Sequence, residues 1–356
     1  MNKVKSIQFN LLLDGVGCVN FGSSEELDFL LRTGIIKWND NGFVKNGKPL
    51  SNVLLSKKNF RQTEDGTYEY HVKVSSECLR NNIFKDTMRF QETSITTIPH
   101  AFYRALANPD MITRGYMYPY KGGVTIKKKG PFYITDAEEV GPWRRFVSSD
   151  FHSRSGRKEL NDGKDSNDAN DTSIYKIENV GAAKYMAVGG IDVAELRFIP
   201  ADPVYERLSV NVDGGPYETI YMNELKRNTV NFTPEFKYYF LKNSYTGDEF
   251  AERGIMLNDE SLNMLIKRVI KNMLNIEVLR RNAYLRTEKL TLRINYTNGE
   301  QDVIDVTPDM VDDLNFDCIN PYKEADEEKI LANLKMVEDL KAKSKEKKSK
   351  KVVTEE

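Results

Sequence analysis

The sequence predicts an α+β fold built on one large core and elaborated by loops. Three observations lead to that class: strand-like alternation near both ends of the chain, helix-period segments that follow strand-like ones, and a polar Gly/Lys-rich interruption over 117–171. Of the 356 residues 40% are apolar, with 17 Phe and 18 Tyr among them, so there is volume for a sizeable core and disorder of the whole chain is excluded.

Ile7, Phe9 and Leu11 alternate with Ser6, Gln8 and Asn10, which predicts an opening strand. The strand runs into Asp14-Gly15-Val16-Gly17, where glycine permits positive φ and close backbone approach, and then into Val19-Asn20-Phe21-Gly22. The segment 38–50 is turn-rich, and its Asn41-Gly42 and Asn46-Gly47 pairs suit hairpin turns. Tyr68, Tyr70, Val72 and Val74 alternate with polar residues as a second strand, and Ser75-Ser76-Glu77 starts a helix carrying Cys78, Leu79, Ile83 and Phe84. A second helix spans roughly 98–107 and closes at Asn108-Pro109.

The stretch 117–171 is far longer than the roughly 15 residues above which structureless loops are usually functional or mobile, so it reads as an insertion. Beyond it, 173–175, 184–188 and 195–199 read as strands returning to the core. The clearest helix is 259–279, with Asp259 as its cap and Leu262, Leu265, Ile266, Val269, Ile270 and Met273 on one face. Leu290, Leu292 and Ile294 form the last strand, ending at Asn298-Gly299. Residues 1–320 thus form one domain. In the tail 321–356, Ile330, Leu334, Val337 and Leu340 make one helical stripe, seven lysines follow between Lys341 and Lys351, and the end is expected to be mobile. A strand–helix–strand core of this kind is compatible with an RNA-recognition-motif-like (ferredoxin-like) fold.

Charge and cysteine usage narrow the chemistry. The net charge is −1, which argues against indiscriminate polyanion binding, yet 114–158 holds ten Lys/Arg against four acids, and 159–171 reverses this with five acids and one lysine. Such blocks are solvated loops, or else a polyanion site with an acidic rim, or a contact between copies of the chain. Three separated cysteines and three histidines supply neither a disulfide framework nor a zinc site, and no cofactor is expected. No run of 18 apolar residues and no signal core occur, so the chain is expected to be soluble and cytoplasmic, with no membrane partner.

Catalytic motifs are missing: there is no Walker loop, GxSxG elbow, HExxH, CxxC or complete GxGxxG. His71 and His100 sit in strand and helix patterns that fit structural roles. What remains is a set of cations and aromatics on glycine-bearing loops: Asn20, Phe21, Phe60, Arg61, Arg80, Arg114, Lys127, Lys128, Lys129, Arg144, Arg145, His152 and Arg154. Cations neutralise phosphates and aromatics stack on bases, so the combination suits single-stranded nucleic acid; taken singly, each cluster also fits core aromatics with solvated cations.

The succession 14–22, Asn59-Phe60-Arg61-Gln62-Thr63, Cys78-Leu79-Arg80-Asn81-Asn82, Met111-Ile112-Thr113-Arg114-Gly115-Tyr116, Gly189-Gly190-Ile191-Asp192-Val193-Ala194-Glu195-Leu196-Arg197-Phe198-Ile199 and Gly254-Ile255-Met256-Leu257-Asn258-Asp259 resembles the backbone subunit of class 1 CRISPR effector complexes. Over roughly 5–297 it is most similar to that of the type I-F variant Cascade without a large subunit. The resemblance implies an RNA-recognition-like core with a finger insertion (117–171) and a thumb, for which 242–254 is the candidate. It implies copies polymerised along the guide RNA, phosphates gripped and bases presented to a target, with other Cascade subunits as partners and no catalysis. Two alternatives stay open: a type III-like subunit cleaving target RNA through Asp14 or Asp28 and a divalent metal, and a structural protein that self-assembles without nucleic acid.

Overall fold

The computed structural model describes residues 2–17, 44–45, 48–49, 53–54, 57–62, 64–66, 68–85, 98–119, 125–140, 147–155, 172–201, 208–211, 214–241, 251–280, 283–328, 330–332 and 335. The opening strand, Val4–Val16, is the spine of a nine-stranded sheet. Its neighbours are Ala183–Asp192 on one side and Ala283–Tyr296 on the other, both antiparallel to it. Outward from Ala183–Asp192 follow Ala137–Val140, Tyr68–Val74 and Lys58–Gln62, with Phe132–Ile134 sharing its edge. Glu277–Arg280 and Gln301–Val306 both pair with Ala283–Tyr296 and close the other side.

Period-two alternation gives this sheet two different faces. Ile7, Phe9, Leu11 and Leu13 point inward and are at most 2% exposed, beside Tyr185, Ala187, Ile191, Leu285, Leu290 and Leu292. Against that face lies the helix Asp259–Leu274, which buries the six apolar residues expected of it. Ser76–Ile83 joins it with Leu79 and Ile83. The opposite face carries Gln8, Asn10, Val188 and Arg293.

Several boundaries differ from the sequence expectation, each for a local reason. The long helix is capped by Asn258, whose side chain accepts from the Ser261 N–H, and it stops at Leu274; 277–280 instead pairs as an edge strand with 283–286. The expected strand 195–199 is split, because Asp192 Oδ1 accepts from the N–H groups of Ala194 and Glu195 and so starts a short helix, Val193–Arg197, before Phe198–Pro200 turns extended. The stretch 117–171 begins inside the core: Phe132, Ile134 and Ala137 are buried in strands of the main sheet. Val44–Lys45 and Lys48–Pro49 pair antiparallel, while Asn41-Gly42 and Asn46-Gly47 themselves lie outside the described residues.

Of the candidate thumb, 242–250 lie outside the described residues, and Glu252–Met256 is a strand between Phe198–Pro200 and Lys237–Leu241. The tail also starts as folded structure. Tyr322–Glu324 completes that four-stranded sheet beside Lys237–Leu241, and the Tyr322 ring stacks on Phe198 with centroids 4.8 Å apart. Residues 327–328, 330–332 and 335 are helical, and the lysine run lies outside the described residues.

Two buried cations tie these parts together. Lys128, 2% exposed, donates from Nζ to the carbonyls of Glu195 (3.2 Å) and Phe198 (3.1 Å) at the end of the short helix. Arg197, 3% exposed, donates to the carbonyls of Ile319 (3.1 Å), Cys318 (3.3 Å) and Leu257 (3.4 Å) and to Asp259 Oδ1 (2.6 Å). Burial pushes the Cys318 thiol up to about 12, against the opposing pull of the Arg197 charge.

Two outcomes follow from the clamp. Arg197→Met strands three carbonyls that lose their donor, and at about 1–3 kcal/mol for each unmade buried bond, less relaxation, urea unfolding should show a loss of about 3 kcal/mol. Cys318 should resist iodoacetamide at pH 8 in the folded protein and react once urea exposes it, as read by mass spectrometry of the labelled peptide.

Candidate nucleic-acid interface

The structure brings Arg80 and Arg114 together. Arg80 stands on the helix Ser76–Ile83, capped by Ser75, and Arg114 ends the helix Pro109–Arg114, capped by Asn108. The chain leaves that second helix through Gly115 at φ +77. A Cβ on Gly115 would lie 2.5 Å from Gly130 Cα, and one on Gly130 would lie 2.4 Å from the Arg114 carbonyl, so two backbones touch where only glycine fits. Arg80 Nη2 donates to that same carbonyl at 2.7 Å. Arg114 Nη2 in turn donates to Asn81 Oδ1 (2.8 Å) and Glu77 Oε1 (3.0 Å).

The electrostatics of the pair are unbalanced. Burial first, and then the Arg114 charge, hold the Arg80 guanidinium below the usual arginine range, and Glu77 offsets them only in part. Arg80 Nε is buried with no hydrogen-bond partner among the described residues. Glu77 itself is largely solvated, its side chain 66% exposed. Two guanidiniums brought this close repel each other, and an anionic oxygen between them is what relieves that repulsion. Tyr118 sits close by, its phenol pushed up by burial and drawn back by Arg114.

The three consecutive lysines do not act as a block. Strand alternation sends Lys128 into the core, where its ammonium is held by backbone carbonyls and faces away from solvent, unlike the exposed cation expected of that residue. Lys127 is half-buried in the hairpin with Tyr116–Pro119. Lys129 is 71% exposed on its side chain, with Glu195 Oε2 at 3.7 Å. Phe60 and Arg61 lie in the strand Lys58–Gln62, and His152 and Arg154 in Val147–Ser155, with their side chains outside the described set. Asn20, Phe21, Arg144, Arg145 and Asp28 lie outside the described residues altogether. Asp14 is described, and Arg286 faces it at 3.5 Å.

A second surface was not anticipated. On the outer face of the main sheet, Val303, Arg293, Gln8, Gly190 and Tyr133 occupy one row across five strands. Asn10, Val188 and Thr291 form the next row. These rows line a cavity of about 260 Å³ that extends from Tyr133 past Gln8 to Arg293 and Val303. The alternation of Gln8 and Asn10 with the buried strand residues was a signal for this face. Tyr133 gave none, because its strand was hidden in the stretch read as an insertion.

Among the described residues no group of three or more His, Cys, Asp or Glu could hold a metal ion, and no helix is long and apolar enough to cross a membrane. No curated protein sequence matches the chain. Among solved structures, a chain of a "CRISPR RNA-guided surveillance complex" is 9% identical with a TM-score of 0.34, over 82% of this chain and 70% of that one. A chain of a "CRISPR RNA-guided surveillance complex, pre-nicking" is 7% identical with the same TM-score, over 82% and 77%. The family model described as type I-Fv CRISPR-associated protein, Cas7fv-like, matches residues 3–316. A match over that much of the sequence means that the chain belongs to the type I-Fv CRISPR-associated Cas7fv-like family.

Proposed function

We propose that this protein is a non-catalytic Cascade backbone subunit that oligomerises along the spacer of the guide RNA, holds its phosphates and presents its bases for target pairing. The observation that carries the reading is the Arg80–Arg114 pair, two guanidiniums fixed between two helix ends and a glycine–glycine contact, with Arg80 Nε unpartnered among the described residues. Such a site recognises phosphate wherever it occurs and is indifferent to base identity, which is what a carrier of many guides requires. Family membership points the same way.

The core supports an RNA-recognition-motif-like reading. Val4–Val16 lies between Ala183–Asp192 and Ala283–Tyr296, with helices on one face and the other face open, as in a ferredoxin-like order in which the first strand is central. Asp14, the candidate acid of a cleaving relative, is engaged by Arg286, which favours the non-catalytic role. The partners of such a subunit are guide RNA, target nucleic acid through the guide, further copies of itself and other Cascade subunits, and its compartment is the cytoplasm.

Expressed with a guide array, the protein should purify with RNA of stepped lengths, one step per added copy. Preparations free of RNA at low salt would overturn the reading. Arg80→Ala and Arg114→Ala should each lower the slope of log affinity against log salt by about 0.7, as expected for one phosphate contact on a single strand, and do so alike on unrelated guide sequences. A loss confined to certain guides would instead indicate base readout.

A further inference from the structure

The outer face of the main sheet holds a small site that the phosphate grip does not use. Tyr133 lies across Gly190: a Cβ at that glycine would come within 2.4 Å of the phenol oxygen and 2.8 Å of the ring carbon Cε1. The glycine therefore gives the ring a flat bed on the sheet, while Tyr133 remains 53% exposed. A large aromatic so supported has already lost its rotamer freedom and still offers a ring to solution, which is the arrangement of a stacking platform.

Across Gln8 from the ring the cavity carries a cation. Arg293 is exposed and has no hydrogen-bond or ion-pair partner among the described residues. Its neighbours on the same strand are matched: Lys289 by Asp305 at 2.8 Å and Arg286 by Asp14 at 3.5 Å. Lys184, on the strand Ala183–Asp192, is likewise held by Glu288 at 2.5 Å. Between ring and guanidinium stand the side-chain amides of Gln8 and Asn10 and the hydroxyl of Thr291, which offer both donors and acceptors. Thr291 Oγ1 is already bonded to Asp305 Oδ1 at 2.6 Å, which leaves the two amides as the free polar floor.

An aromatic bed, two amides and an unmatched cation in about 260 Å³ fit one planar, hydrogen-bonding, anionic unit. That volume is below the roughly 300–1,000 Å³ of sites that enclose whole small molecules. We propose that this cavity binds a single nucleotide of a single-stranded nucleic acid, with the base stacked on Tyr133 and its phosphate on Arg293. The proposal rests on the guide-binding reading above but concerns a different surface. Guide RNA and the single-stranded DNA of an opened target both supply this chemistry.

Photocrosslinking of the assembled complex tests it in two arms, one with 5-iodouridine at several guide positions and one with 5-iododeoxyuridine in the target strands. The expected result is an adduct mapped by mass spectrometry to Tyr133 in one arm, which identifies the source of the nucleotide. Tyr133→Phe should keep the adduct, since the ring and not the hydroxyl makes the stack, and Arg293→Ala should lower its yield at least fivefold. Co-purified RNA with no adduct at Tyr133 in either arm would overturn the proposal and leave the guide-binding reading standing. Shielding of Tyr133 from hydroxyl radicals on assembly, without any adduct, would assign the face to a protein neighbour and likewise overturn it. Wild-type protein that retains no RNA would remove the guide-binding reading and this one with it.

Discussion

The short helix Val193–Arg197 is held by two cations that have no water to fall back on, and the placement of most other elements depends on that clamp. Arg197 joins three regions far apart in sequence: the end of Glu252–Met256, the start of Asp259–Leu274, and the 318–319 carbonyls next to the opening strand. The Ile319 N–H donates to the Val4 carbonyl, so the same knot fixes the beginning of the sheet spine. Lys128 brings the Tyr116–Pro119 and Thr125–Lys128 hairpin to the same C-terminal end of the helix. A buried cation is tolerable only where several carbonyls converge on it, and this convergence fixes the geometry of the surrounding chain more tightly than apolar packing could.

That same requirement explains where sequence reasoning succeeded and where it failed. Segments whose pattern is one simple period were legible: the opening strand, Tyr68–Val74, Ser76–Ile83, and the apolar face of Asp259–Leu274 all follow from alternation or helical spacing. Segments decided by distant partners were not. Nothing local distinguishes 277–280 from a continuing helix; its strand state comes from pairing with 283–286. Phe132–Ile134 and Ala137–Val140 are too short and too close to glycine and lysine to stand out, yet they are sheet because Ala183–Asp192 offers them an edge. The family resemblance carried by the residues was borne out over the matched span.

The candidate site divides in the same way. Arg80 and Arg114 were identifiable as cations beside polar or glycine neighbours, and their meeting depends on a glycine–glycine contact that no spacing reveals. The three consecutive lysines look like one basic patch in the sequence, whereas strand alternation buries Lys128 apart from its neighbours. Tyr133 and Arg293 were missed because each is unremarkable alone. Only the register that sets Gln8 opposite both Gly190 and Arg293 makes them one feature.

The edge formed by Gln301–Val306 has a consequence for solubility. Among the described residues its backbone pairs on one side only, with Ala283–Tyr296, and Val303 is 62% exposed, so it offers the kind of template on which sheets fuse. Asp302 and Asp305 lie on the same strand, with the Tyr296 hydroxyl donating to one and the Lys289 ammonium and Thr291 hydroxyl to the other. Two such edges brought side by side would crowd four carboxylates, which repel one another. Charge on this strand thus works against edge-to-edge growth of the sheet, the role that charged residues have on natural edge strands.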